Sequence, residues 1–209
     1  MGLIKLLIND PVAFVILAGL LLYSVILHEV AHGWVAWRMG DPTAKWLGRL
    51  TLNPIKHIDP IGSLMLLIIG FGWAKPVPVN LDNLPAAKRR RGLILVSAAG
   101  VTANILIAFC ALFIWRLATP VPGGIIYNVL YNLAWINIML AAFNLIPIPP
   151  LDGSKILMGF TPESFNRMMM QIEPFGFFIV LGLLLVGVLN PVINFLQRII
   201  ITFISLLLP

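Results

Sequence analysis

Charge is what this sequence has least of. Of its 209 residues only 11% are Asp, Glu, Lys or Arg, while 60% are hydrophobic. A soluble domain carries about 25% charged residues, so this composition excludes one. The chain has a single cysteine, Cys110. That excludes a disulfide framework, and inside an apolar run the thiol reads as a small packing residue. Internal repeats are lacking, as is a polar domain at either end. The net charge of +6 is not spread along a face, so nucleic acid is not an expected partner. Nine of the fourteen basic residues fall between Arg38 and Arg91. Beside membrane helices such clustering orients the chain, with the basic side in the cytoplasm. The run Lys88-Arg89-Arg90-Arg91 is read chiefly as a topology signal.

What the sequence does have is long apolar runs, and about 20 such residues span a bilayer. Residues 11–37 form the first, too long for a signal peptide and without a cleavage site. A polar, basic connector (38–57) follows. Residues 58–72 are apolar but short for a full span and suit a re-entrant helix. GWAKPVPVN (72–80) holds too much proline for a helix and reads as extended. Further spans are expected at 92–116 and 125–146, with a turn at 119–124. Residues 154–173 mix charges with Phe and Met and suggest an amphipathic surface helix. Two apolar segments, 174–189 and 192–208, complete the chain. The expected fold is all-α: one polytopic membrane domain over 1–209, with five to six transmembrane or re-entrant helices and a short extended, hairpin-like loop at 72–80.

Charge and parity bring three places to one face: the end of the first span, the start of the 92–116 span, and Asp152 after the 125–146 span. That matters because residues 28–32 read His28-Glu29-Val30-Ala31-His32. On a helix, residues four apart share a face. His28 and His32 can therefore grip one zinc ion, with Glu29 beside it as general base. Ionisable residues in a membrane helix are costly and usually functional. A catalytic zinc takes three protein ligands. Topology favours Asp152 as the third, with His57 and Asp59 as rivals on the same face.

HEVAHGWVAWRMGDPTAKWLGRLTLNPIKHIDPIGS, GWAKPVPVN and NLIPIPPLDG together resemble the site-2 protease family of intramembrane metalloproteases. The likeness covers roughly residues 20–160. It implies one Zn²⁺ per chain held by His28, His32 and Asp152, with Glu29 as the catalytic base. One departure stands out: the family's G-P-x-x-N motif is here Gly100-Val101-Thr102-Ala103-Asn104. The resemblance is to a core-only member, without PDZ or CBS domains.

The reading that follows is an intramembrane zinc endopeptidase, multi-pass in the cell membrane, with its active site near the cytoplasmic face. Its expected partners are a transmembrane protein or peptide substrate and the lipid bilayer. Asn104 and Asn144 are candidates for donors to the oxyanion or substrate backbone, and equally for interhelical hydrogen bonds between membrane helices, which are common for Asn. Lys75, Pro76, Val77, Pro78 and Val79 are expected to pair with an unwound substrate as an added strand. His57 is expected to be structural. Two competing readings are a metal-ion transporter, which would want several polar spans and often repeats, and a zinc-stabilised protein without catalysis, which leaves Glu29 unexplained.

Overall fold

The protein is described by a computed structural model for residues 3–70 and 72–208; Phe71, in the apolar stretch 58–72, lies outside the described residues. A short helix α1 (Leu3–Asn9) leads into α2 (Pro11–Met39). The carboxylate of Asp10 caps α2 by accepting from the Ala13 N–H at 3.0 Å, and Pro11 sits where its missing N–H costs nothing. Gly40, with φ of 115°, ends the helix in the left-handed region. After α3 (Thr43–Trp46), the ten-residue α4 (Pro60–Ile69) is, at about 15 Å, too short to span. Then follow α5 (Ala86–Ala118), α6 (Ile125–Asn144), α7 (Asp152–Met158), α8 (Glu163–Leu185) and α9 (Asn190–Leu207). Five of these, α2, α5, α6, α8 and α9, are long and apolar enough to cross a membrane. Among the described residues no strand forms, and 72–80 is extended without a ladder; Pro76 and Pro78 cannot donate to one.

Two expected boundaries differ. The 92–116 span is the middle of the longer α5, because Lys and Arg are good helix formers and the basic turns simply continue the helix. The division of the last third at 173/174 is wrong. The break falls at 159–162, and α8 runs unbroken through Pro174. At the real break the Thr161 hydroxyl and the Met158 carbonyl both bond to Asn166, and Pro162 precedes the first turn of α8. Proline inside a membrane helix is tolerated because neighbouring groups take up the freed backbone bond.

Helix α5 is the centre, packed on α2, α6 and α7, while α9 covers α6. The α5–α6–α9 core joins Ala108, Ala141 and Ala142 to Val101, Ile138, Ile200 and Ile204. Small residues let membrane helices approach closely, where packing rather than water drives association. Two aromatic groups mark the ends of the bundle. At one, Arg38 lies over Trp34 and Lys45 over Trp37. At the other, Trp115, Tyr127 and Tyr131 form a row. Aromatic belts of this kind sit at headgroup level.

Candidate metal centre

Helices α2 and α5 run antiparallel, and two stripes of four-residue spacing face each other. Ser24, His28 and His32 on α2 meet Asn104, Gly100 and Val96 on α5. His32 Nδ1 lies 2.7 Å from the Val96 carbonyl, and His28 Nδ1 lies 2.6 Å from Asn104 Oδ1. A carbonyl can only accept, so each Nδ1 carries the proton and each Nε2 points the other way. The two Nε2 atoms are 3.0 Å apart. Asp152 Oδ2 is 3.1 Å from one and 3.2 Å from the other.

The direction of the bond to His28 is set four links away. Ser24 Oγ donates to the Leu20 carbonyl at 2.7 Å and accepts from Asn137 Nδ2 at 2.8 Å. Asn137 Nδ2 also donates to the Leu133 carbonyl, so its Oδ1 is left to accept from Asn104 Nδ2 at 2.8 Å. Asn104 Oδ1 then accepts from His28. Ser24, Asn104 and Asn137 are all buried to 1% exposure or less, and such a network persists only when every member is paired. Of the two roles open to Asn104, substrate donor and interhelical bond, its amide makes the second: it is engaged on both sides, and it orients His28.

A metal ion fits these atoms. Asp152 Oδ2 is buried without a hydrogen-bond partner, and it converges with the two Nε2 atoms. His28, His32 and Asp152 are the one such ligand group among the described residues. Three lone-pair atoms this close need a cation between them. A carboxylate holds a metal as the anion. The space is real as well: a Cβ on Gly100 would lie 2.4 Å from His32 Nε2 and 2.6 Å from His28 Nε2. Only glycine leaves that side of the cradle open.

Glu29 follows His28 on α2, and its Oε2 accepts from the Val77 N–H at 2.7 Å. Val77 is buried, and Gly33 admits it, since a Cβ there would lie 2.7 Å from Val77 Cγ1. The 72–80 loop is thus held at three points. Lys75 donates to the His57 carbonyl at 2.8 Å and accepts from Arg49 Nη2 at 2.8 Å. Val77 meets Glu29. The Asn80 N–H donates to Asp41 Oδ2 at 2.7 Å. Asp41 also accepts from Thr43 and Asn83. Burial pushes the Asp41 carboxyl up, and these hydrogen bonds prevail and lower it.

His57 and Asp59 lie outside the ligand group. His57 Nε2 donates to the Thr51 carbonyl at 2.8 Å, and Asp59 caps α4 by accepting from the Gly62 N–H at 2.7 Å. Asn144 is half-buried and donates to the Leu140 carbonyl one turn back. Sequence reasoning missed Ser24 and Asn137, and it met Gly100 only as the first residue of the family's G-P-x-x-N motif. The one signal for Ser24 was its four-residue spacing from His28.

The sequence model of peptidase family M50 matches residues 119–187, the stretch that carries Asn144 and Asp152. The chain is 42% identical over 170 residues to the Bacillus subtilis protein "Putative zinc metalloprotease YwhC", covering 78% of this chain and 77% of that one. It is 30% identical over 184 residues to "Putative zinc metalloprotease Rip2" of Mycolicibacterium smegmatis, covering 86% and 70%. Similarity extends to "Zinc metalloprotease MJ0392" of Methanocaldococcus jannaschii, 27% identical over 158 residues, 76% of this chain and 38% of that one. No solved structure matches.

Proposed function

Because the chain belongs to peptidase family M50, the site-2 protease family, we propose that this zinc metalloprotease hydrolyses peptide bonds of membrane-spanning substrates within or next to the bilayer. The observation that carries the reading is the convergence of His28, His32 and Asp152 beside Glu29, inside a bundle with five helices fit to span. His28 and His32 through Nε2 and Asp152 through Oδ2 would hold the zinc. When bound, zinc supplies Lewis acidity, which polarises a carbonyl and acidifies a water.

The chain's own groups do the rest. Glu29 takes a proton from the attacking water and passes it to the leaving amine. Val77 fixes one carboxylate oxygen of Glu29, which leaves the other for the proton. Asn144, unlike Asn104, is not fully buried, and it is the amide we assign to the developing oxyanion. For the substrate strand, the Lys75 backbone and the Val77 N–H are already engaged. The Val77 carbonyl and the Val79 N–H remain for pairing, and Pro76 and Pro78 have no N–H to offer.

We place the site toward the cytoplasmic face. Arg91, at the basic end of α5, is nine residues from Gly100, about 14 Å along the helix, whereas Trp115 is about 22 Å the other way. Reconstituted protein with a single-span substrate tests the reading, the products being mapped by mass spectrometry. Cleavage inside the span by the wild type, and none by Glu29→Gln with zinc retained, is expected. Cleavage by Glu29→Gln, or cuts confined to soluble parts of the substrate, would overturn it.

A further inference from the structure

Arg49 is a cation without a counter-charge. Its side chain lies in the connector between α3 and α4 and is 8% exposed. Nη2 donates to the Lys75 carbonyl at 2.8 Å, and Nε is buried with no partner. Among the described residues the ion pairs are Asp152 with the two histidines and Arg89 with Asp82; none includes Arg49. An unpaired buried charge is expensive, and a guanidinium suits a tetrahedral oxyanion such as phosphate.

Arg49 borders a cavity of about 590 Å³, outside the metal centre. Lys56 and Lys75 line it with Arg49, alongside the apolar Leu47, Ile55 and Ile58; no carboxylate is among the lining residues. The apolar residues are not core. Ile55 is 79% and Leu47 60% exposed, and the neighbouring Trp46 is 79% exposed. The connector begins beside the Trp34–Trp37 belt, so this face lies at headgroup level. A bare phosphate would fill a small part of the cavity and leave its apolar lining residues unused. A molecule with an anionic head and hydrocarbon tails uses both the basic and the apolar lining.

We propose that this cavity is a site for an anionic phospholipid. Its phosphate sits against Arg49, Lys56 and Lys75, and its acyl chains lie along Leu47, Ile55 and Ile58. Pro76 and Pro78 also line the cavity. The lipid therefore touches the loop on both sides of Val77, the residue that holds Glu29. Binding does not depend on the protease reading, and its test does not use cleavage.

Native mass spectrometry of the full chain in detergent, titrated with phosphatidylglycerol or phosphatidylcholine, checks the proposal. The wild type is expected to retain one phosphatidylglycerol at least tenfold more tightly than phosphatidylcholine. Both lysines are exposed, so Lys56→Gln with Lys75→Gln should fold with an unchanged melting temperature and lose that preference about tenfold or more. Arg49→Lys keeps the charge, loses the fork, and should fall between. Equal retention of the two lipids overturns the proposal, as does a preference that survives in the double variant. Displacement by soluble glycerol phosphate at equal concentration would make the site one for free anions. Displacement by an acidic peptide would make it a substrate subsite. Either result also overturns it.

Discussion

The backbone N–H of Val77 donates to the side chain of Glu29 across 2.7 Å, joining a proline-rich loop to the residue beside the first histidine of the candidate metal group. The two are 48 positions apart in the chain. A hydrogen bond to a charged group contributes about 1.5–3 kcal/mol. Val77→Pro removes that donor alone from the backbone, whereas Val77→Ala keeps it. Turnover of a model substrate should fall about ten- to a hundredfold in Val77→Pro and stay near wild type in Val77→Ala, with zinc content equal in both. Unchanged turnover in Val77→Pro would show that Glu29 needs no such anchor.

Gly100→Ala should cost metal without costing the fold. The added methyl would lie 2.4 Å from His32 Nε2, so the imidazoles must swing out of the cradle. In a helix interior alanine is preferred to glycine by about 1 kcal/mol, so helicity should be intact by circular dichroism. A competition titration with a chromogenic chelator should show zinc affinity reduced at least tenfold. Wild-type affinity in this variant would contradict the packing around the ligands.

The Ser24–Asn137–Asn104 chain should act on zinc affinity through His28. Outer-shell partners of metal-bound histidines are worth about 10–100-fold in affinity. Asn104→Ala should fall in that range and Asn137→Ala below it. In the double variant the second substitution should add little, because the link it acts through is already broken. Fully additive losses would mean that the two amides act separately.

Acid should loosen the loop before it unfolds the bundle. Asp41 has a folded pKa below its unfolded value, burial being outweighed by bonds from Thr43, Asn80 and Asn83. Its contribution is thus present above the unfolded pKa, about 3.9, and is lost as pH falls through the lower, folded value. Hydrogen exchange should show residues 76–84 losing protection at acid pH in the wild type. In Asp41→Asn that protection should already be reduced at neutral pH, with a weaker response to acid. Equal pH responses in the two proteins would remove Asp41 as the anchor.

The parts of the site legible in the sequence were those with local spacing. His28, Glu29 and His32 declare themselves by helix period; for the third ligand charge parity favoured Asp152 over His57 and Asp59, and it was the resemblance that named Asp152. What escaped depends on how one helix is rotated against another. Gly100 stands in the family's G-P-x-x-N pattern, but its place as the open side of the cradle shows only when His28 and His32 are seen against it. Asn104 was found but left open between substrate donor and interhelical bond, because nothing local reveals that Asn137 takes up its amide. The continuity of α8 through Pro174 escaped for a different reason. Rules for proline come from helices in water, where a freed carbonyl has somewhere else to go.

Val96, Gly100 and Asn104 lie on a helix without a break from Ala86 to Ala118. The Lys88–Arg91 cluster belongs to the same rod, about 14 Å from Gly100. A helix transmits torque with little internal give. Turning its basic end would move the His32 acceptor, the open side of the cradle and the His28 acceptor together and in phase. The membrane surface and the metal centre are in that sense geared to one shaft, and α5's angular setting is as much a specification of the site as any ligand.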